Sequence, residues 1–326
     1  MDCVIDLQEL QDSAHVVSIP LRTRFRGVDH REAMILRGPT GDAEFAPFLE
    51  YDAAESARWL AAAIEAGWGS WPAPVRSSIP VNATVPAVDA SEVAGVLARY
   101  DGCTTAKVKV AERGQSLDDD VARVAEVRSL LGPTGRIRVD ANGGWSLDDA
   151  VWALTALSGF ELEYAEQPCA TVEELASLRI ALVNNGVDLR VAADESIRKA
   201  TDPLLVARLG AADIAVVKVA PLGGVQAALD IALEAGLPTV VSSALDTSIG
   251  IAAGVALAAA LPDLEFACGL GTVELLSGDV TSSPLVPQAG SIDVRRPSAD
   301  RLSSLRAAPE RETWWRQRLA AAYAEL

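Results

Sequence analysis

The run Ile137-Arg138-Val139-Asp140-Ala141-Asn142 gives way to an Ala/Leu-rich stretch over 147–157, and then to Leu162-Glu163-Tyr164-Ala165-Glu166-Gln167-Pro168. A short β-rich run, a helix and a second β-rich run read as one unit, two parallel strands joined by a right-handed crossover. The same rhythm extends in both directions. Upstream, strands are predicted over 79–83 and 106–110 and a helix over 118–131. Downstream, strands are predicted over 189–194, 214–219, 239–243 and 265–268, with helices over 172–183, 225–235 and 249–260. The strands recur roughly every 23 to 30 residues, the period of repeated strand–helix units. Eight such units predict an α/β fold closed as a (β/α)8-type barrel. A doubly wound open sheet usually carries a GxGxxG turn near its first strand, and the sequence has none there.

The first 77 residues follow another pattern. Strands are expected over 3–7, 30–37 and 43–49, and a helix over 53–66, with Gly38-Pro39 and Gly41-Asp42 at the joins. This predicts an α+β capping domain over 1–77, a catalytic barrel over 78–283, and a C-terminal segment over 284–326 that packs back on the first domain.

The chain has 326 residues, half of them hydrophobic, and a formal net charge of -17. That length holds a large core plus an appendage. The acidity argues against nucleic acid, which requires clustered Lys and Arg. The four cysteines, Cys3, Cys103, Cys169 and Cys268, form no CxxC or Cys/His cluster, so a disulfide framework and a zinc site are both disfavoured. The first residues lack the basic and apolar regions of a signal peptide, and the apolar run over 249–261 is too short to cross a bilayer. A cytoplasmic protein without a membrane partner is expected. The oligomeric state is not legible.

Chemistry concentrates at the C-terminal ends of the predicted barrel strands, where barrel active sites lie. Strand alternation puts Lys107 and Lys109 on one face and Ala106, Val108 and Val110 on the other. The apolar face meets the helices, so both lysines point inward. Mutual repulsion and partial burial are expected to lower a lysine pKa toward that of a useful base. The alternative is a solvated pair on an edge strand. Asp140, Glu166 and Asp194 each end one of three successive strands. Three converging carboxylates repel unless a cation joins them, and hard oxygen ligands suit Mg²⁺, with Mn²⁺ as a substitute. Helix capping accounts for one such residue more readily than for three. Glu195 is expected to point away from Asp194. Lys218 lies across the barrel from Lys109, in a strand otherwise apolar. A lysine on each side of a metal-bound carboxylate suits removal of an α-proton. The histidines, His15 and His30, both precede the barrel, which excludes a histidine base on a late strand.

The ordered set Lys-x-Lys, Asp-x-Asn, Glu-Gln-Pro, Asp-Glu-Ser and a strand-six lysine resembles the enolase superfamily, in its lysine-base branch of muconate-cycloisomerase type. The resemblance spans nearly the whole chain. It implies that Lys109 is the base and that Lys107 tunes it. It also implies that Asp140, Glu166 and Asp194 bind Mg²⁺ and that Lys218 is the opposing cation. Within the branch the chain is most similar to the o-succinylbenzoate synthase family. The residues behind that similarity are Arg138, Ser242-Ser243, Pro47-Phe48-Leu49-Glu50-Tyr51 and the run Arg22-Thr23-Arg24-Phe25-Arg26-Gly27. The implied activity is a hydro-lyase reaction of menaquinone biosynthesis on a small dicarboxylate. Arg138, Asn142, Ser242, Ser243 and Gly269 are expected to line the substrate pocket, with Arg24 and Arg26 on a lid loop above it. N-succinylamino acid racemase and dipeptide epimerase are the alternatives. Pro221 stands where racemising relatives often have Arg, and Cys268-Gly269-Leu270 lacks the epimerase Asp-x-Asp pair. A non-catalytic barrel is the reading from another class.

Overall fold

The computed structural model describes residues 5–25, 27–199 and 202–326. Cys3 and Arg26 lie outside the described residues. The capping domain opens with a helix, α1 (Leu7–Ser13), capped by Asp6, which accepts from Glu9 N at 2.8 Å. The strand expected over 3–7 is therefore not seen at its described positions. A three-stranded antiparallel sheet follows, β1 (Ala14–Phe25), β2 (Val28–Gly38) and β3 (Gly41–Phe45), and then α2 (Ala53–Trp68). β1 is absent from the sequence reading because Arg22 and Arg24 read as a loop. In the fold they occupy the outer end of a hairpin strand.

The barrel strands are β5 (Ala83–Val85), β6 (Thr105–Lys109), β7 (Arg136–Asp140), β8 (Leu162–Glu166), β9 (Val191–Ala193), β10 (Ile214–Val217) and β11 (Thr239–Val241). They form one seven-stranded parallel sheet in sequential order. Just before it, β4 (Ser78–Pro80) pairs instead with β12 (Ser291–Asp293), so the strand expected over 79–83 is split in two. The eighth position is filled by Cys268 and Gly269, which bridge to Val81 and Ser242. Asn82 N donates to Cys268 O at 3.0 Å and Gly269 N to Val241 O at 2.8 Å, which closes the barrel. The expected strand over 265–268 shrinks to this pair of bridges.

Alternation sorts the side chains. Ala106, Val108, Ile137, Val139, Ala165, Val191, Ala193, Ala215 and Val217 face the surrounding helices in one apolar layer. Tyr164, Ala192, Ile214, Val216, Val240 and Phe266 fill the interior. The Tyr164 and Phe266 rings meet edge to face at 5.9 Å. The crossover helices begin on side-chain caps. Ser116 and Thr171 form capping boxes with Asp119 and Glu174 ahead of the helices Leu117–Leu131 and Val172–Asn184. The final helix (Pro309–Tyr323) sets Trp315, Leu319 and Ala322 against Met34, Phe45 and Trp59 of the capping domain. No helix among the described residues is long and apolar enough to cross a membrane.

Candidate active site

Parallel register brings the polar residues to one level. Lys109 pairs with Asp140, Asp140 with Glu166, and Glu166 with Ala192, two residues before Asp194. Each of these side chains follows an outward-facing apolar residue, Val108, Val139, Ala165 or Ala193, and so takes the inward side. The tight turns beyond the strand ends keep the chain from covering them. Asn142 and Gln167 both adopt positive φ, at 48° and 39°.

The inner mouth is a set of buried ion pairs. Lys109 Nζ donates to Asp140 Oδ2 at 2.5 Å and to Asn142 Oδ1 at 2.6 Å. Lys107 Nζ stands 3.0 Å from the same Asp140 oxygen and 2.7 Å from Glu166 Oε1. Lys218 Nζ donates to Asp194 Oδ2 at 2.5 Å, and Arg198 Nε reaches Asp194 Oδ1 at 3.1 Å. Asp140 and Glu166 are 1% exposed and Asp194 is fully buried, so solvent screens these charges weakly.

The titration behaviour follows. Burial opposes ionisation of Asp140, yet Lys107 and Lys109 hold it well below the usual carboxylate range. Burial likewise opposes ionisation of Asp194, and Lys218 and Arg198 outweigh it. Glu166 is pushed up to about 7 by burial and by Asp140, against the pull of Lys107. Lys218 is lowered chiefly by burial, with Arg198 adding to that effect against Asp194. Lys107 departs from the sequence expectation. Burial does lower it, but Asp140 and Glu166 win and raise it well above the ordinary range. The carboxylates are simply closer to it than the repulsion argument assumed.

Among the described residues, no group of three or more His, Cys, Asp and Glu side chains stands ready-made around a cation position. Lys107, seated between Asp140 and Glu166, supplies the positive charge there instead. The donor set still fits a hard divalent cation. It offers carboxylate oxygens from three adjacent strands, and Glu166 Oε2 is buried with no hydrogen-bond partner.

A cleft above this layer is lined by Lys107, Lys109, Asp140, Asn142, Lys218, Ser242, Ser243 and Gly269. Beside it, Arg24, Phe25 and Gly27 share a second cleft with Lys109, Glu112 and Asn142. The hairpin tip thus lies over the mouth, with Lys109 Nζ 5.4 Å from the centre of the Phe25 ring.

The enolase N-terminal domain-like family matches residues 16–67, and the enolase C-terminal domain-like family matches residues 89–298. An o-succinylbenzoate synthase of Thermobifida fusca is 58% identical over 309 residues, covering 94% of this chain and 95% of that one. The o-succinylbenzoate synthase of Mycolicibacterium smegmatis is 55% identical over 321 residues, 98% of this chain and 97% of that one. The chain belongs to the o-succinylbenzoate synthase family of the enolase superfamily. A crystal structure of muconate lactonizing enzyme from Pseudomonas fluorescens shares the fold, with a TM-score of 0.75 and 22% identity over 90% of this chain and 98% of that one. The superfamily is typically dependent on a divalent metal.

Arg138 lies deeper than the pocket-lining position expected for it. Arg138 faces inward, as its parity requires, but it is fully buried and lines neither cleft. It lies one layer below Asp140, opposite Tyr164, and binds Glu163 Oε2 at 2.5 Å, Asn82 Oδ1 at 3.1 Å and Ala267 O at 2.7 Å. It fixes the barrel floor. The sequence reading also missed two positions. Arg198, one helical turn after Asp194, binds Asp194, Glu195 and the Tyr51 hydroxyl, so it ties the capping domain to the metal-ligand candidate. The i,i+4 spacing of an acid and an arginine was its available signal. Gln167 Oε1 accepts from Asp194 N and Ser196 N, bracing the next strand end, and its place in the Glu-Gln-Pro motif was its available signal. Glu195 Oε1 accepts from Arg198 at 2.6 Å and from Asn142 Nδ2 at 3.2 Å.

Proposed function

We propose that this chain dehydrates 2-succinyl-6-hydroxy-2,4-cyclohexadiene-1-carboxylate to 2-succinylbenzoate in menaquinone biosynthesis, with Lys109 as the base. The observation that carries the assignment of roles is the placement of Lys109 and Lys218 on one cleft, each bonded to a carboxylate at a strand end. Asp140, Glu166 and Asp194 would hold Mg²⁺, with Mn²⁺ as a substitute. When bound, the cation supplies fixed positive charge to the substrate carboxylate as it gains electron density.

The chain's own residues do the rest. Lys109 takes the α-proton from the ring carbon that bears the carboxylate. The C–H electron pair becomes the new ring C=C bond, and the C–O bond to the hydroxyl breaks. Lys109 returns its proton to the departing hydroxyl, which leaves as water. Proton and leaving group lie on the same face, so one base serves both. Lys218 stays protonated on the other face and opposes the growing negative charge. Asn142 and Asp140 hold the Lys109 amino group toward the mouth. Ser242, Ser243 and Gly269 form the rim, where Ser243 Oγ donates to Gly269 O at 2.8 Å. Arg24, beside Lys109 in the adjoining cleft, meets the succinyl carboxylate.

The same two lysines on one cleft favour a second reading, racemisation of N-succinyl amino acids, in which both exchange protons. The test is turnover of both substrates by the purified protein with Mg²⁺ in deuterated water, alongside Lys109→Ala. Rapid exchange and inversion of N-succinyl amino acids, with only trace dehydration, overturns the synthase reading. Dehydration surviving in Lys109→Ala overturns the assignment of the base.

A further inference from the structure

The capping domain does more than cover the barrel at one point. After β11 the chain runs through Ser242-Ser243-Ala244-Leu245-Asp246 to Thr247, the N-cap of α3 (Ser248–Ala260). Ser242, Ser243, Ala244 and Leu245 line the substrate cleft. Leu245 is held at φ 63°, a left-handed conformation that a leucine disfavours. A turn built this way relaxes unless its surroundings over-determine it.

The restraints come largely from two capping-domain residues. Arg31 Nε donates to Leu245 O at 3.0 Å. Its NH2 group donates to Ala46 O, and its guanidinium lies 4.8 Å from the Phe48 ring centre. Glu44 Oε2 accepts from Thr247 N at 3.0 Å, from the Thr247 hydroxyl, and from Gly250 N at 3.1 Å. Within the turn, Asp246 Oδ2 accepts from Ala244 N at 3.0 Å. The approach of Glu44 to the first turn of α3 is so close that a Cβ on Gly250 would stand 3.0 Å from Glu44 Cδ. On the cleft side, Leu245 belongs to the same apolar cluster as Val17, Ile19, Phe25 and Ile35. The turn and the hairpin that carries Phe25 over Lys109 are therefore held as one body.

We propose that Arg31 and Glu44 are positioning residues for the substrate, acting from the capping domain through the Ser242–Thr247 turn. Neither lines the cleft that holds Lys109; Glu44 lines the adjoining cavity with Lys218 and Ser242, where its Oε2 is taken up by Thr247 and Gly250. Arg31 holds the strained carbonyl, and Glu44 holds the segment that follows it. Together they set the Ser243 rim against the hairpin tip. Loosening either leaves the lysines in place and lets the rim open. The expected signature is a higher KM with little change in kcat. This inference rests on the dehydratase reading above.

The test compares wild type, Arg31→Met, Glu44→Ala and Glu44→Gln. Steady-state dehydration gives kcat and KM, and calorimetry gives the affinity for the product 2-succinylbenzoate with Mg²⁺ present. Arg31→Met and Glu44→Ala are expected to raise KM and weaken product binding by about tenfold or more, with kcat within about threefold of wild type. Glu44→Gln keeps an oxygen acceptor of the same shape and is expected to stay close to wild type. Should Glu44→Ala not fold, Arg31→Met and Glu44→Gln decide the matter. Unchanged KM and product affinity in folded Arg31→Met overturns the proposal. So does a Glu44→Gln that weakens binding as much as Glu44→Ala. If wild type does not dehydrate the cyclohexadiene, the function reading fails instead. Binding of an N-succinyl amino acid to the same variants then decides the positioning role, by the same expected tenfold loss.

Discussion

Replacing Lys107 with Met removes a charge and keeps most of the stem. In the folded protein that charge lies 2.7 Å from Glu166 Oε1 and 3.0 Å from Asp140 Oδ2, and both carboxylates are 1% exposed. Stripping the partner from a buried ion pair costs about 3–5 kcal/mol. The protein has one escape, protonation of Glu166, whose pKa is already pushed up to about 7. Losing Lys107 raises it further, because Lys107 is among the groups holding it down. The metal-free variant is therefore expected to lose less stability at pH 6, where Glu166 takes a proton readily, and about 3–5 kcal/mol at pH 8.5. A divalent cation replaces the missing charge. It also no longer competes with an ammonium between the two carboxylates. Mg²⁺ is expected to stabilise Lys107→Met more than wild type, with roughly 2.7 kcal/mol available at a hundredfold excess over Kd. Urea unfolding with Mg²⁺ and with EDTA, at both pH values, measures each quantity. A Mg²⁺ increment in the variant equal to or below that of wild type would refute the placement of the cation among these carboxylates. An absence of destabilisation in EDTA at pH 8.5 would refute the charge argument itself.

Lys218→Arg keeps the positive charge but removes a usable base. Dehydration is expected to slow by about tenfold to a hundredfold from misplacement, while deuterium exchange into N-succinyl amino acids on that face disappears; retained two-face exchange contradicts this. Arg138→Met takes from half-buried Glu163 its partner at 2.5 Å and leaves it only the exposed Arg136 at 2.8 Å; it is expected to cost about 1–3 kcal/mol in urea unfolding, with KM unchanged, and a selective rise in KM would restore Arg138 to the substrate. Burial and then Asp246 push Glu44 up to about 8 from an ordinary 4.5, against Arg31 and the hydrogen bonds from Thr247 and Gly250. The sign follows from a raised folded-state pKa. The stability it contributes is full below pH 4.5 and is lost as pH rises through about 8. Wild type is therefore expected to lose about 3–5 kcal/mol relative to Glu44→Gln between pH 5 and 8.5, and parallel pH profiles of the two in urea contradict it.

The barrel was legible because alternation is local. In β6 and β7, every second residue is apolar and meets the helices, which leaves Lys107, Lys109, Arg138 and Asp140 no direction but inward. Strand order then follows from sequential parallel connection, so Asp140, Glu166, Asp194 and Lys218 could be set around one mouth from the chain alone. Depth was not legible. Arg138 and Asp140 share a face, yet one rung of the ladder separates a residue at the mouth from one sealed in the floor by Tyr164, Glu163 and Asn82. The sense of the Lys107 shift was equally out of reach, because it depends on which opposite charge lies nearest in three dimensions. The barrel closure at Cys268-Gly269 and the grip of Arg31 and Glu44 on Leu245 and Thr247 join residues far apart in the chain. Periodicity assigns a face to each residue within its own element. The pairing of distant elements, and therefore the charge and packing each side chain meets, is set only when those elements close on one another.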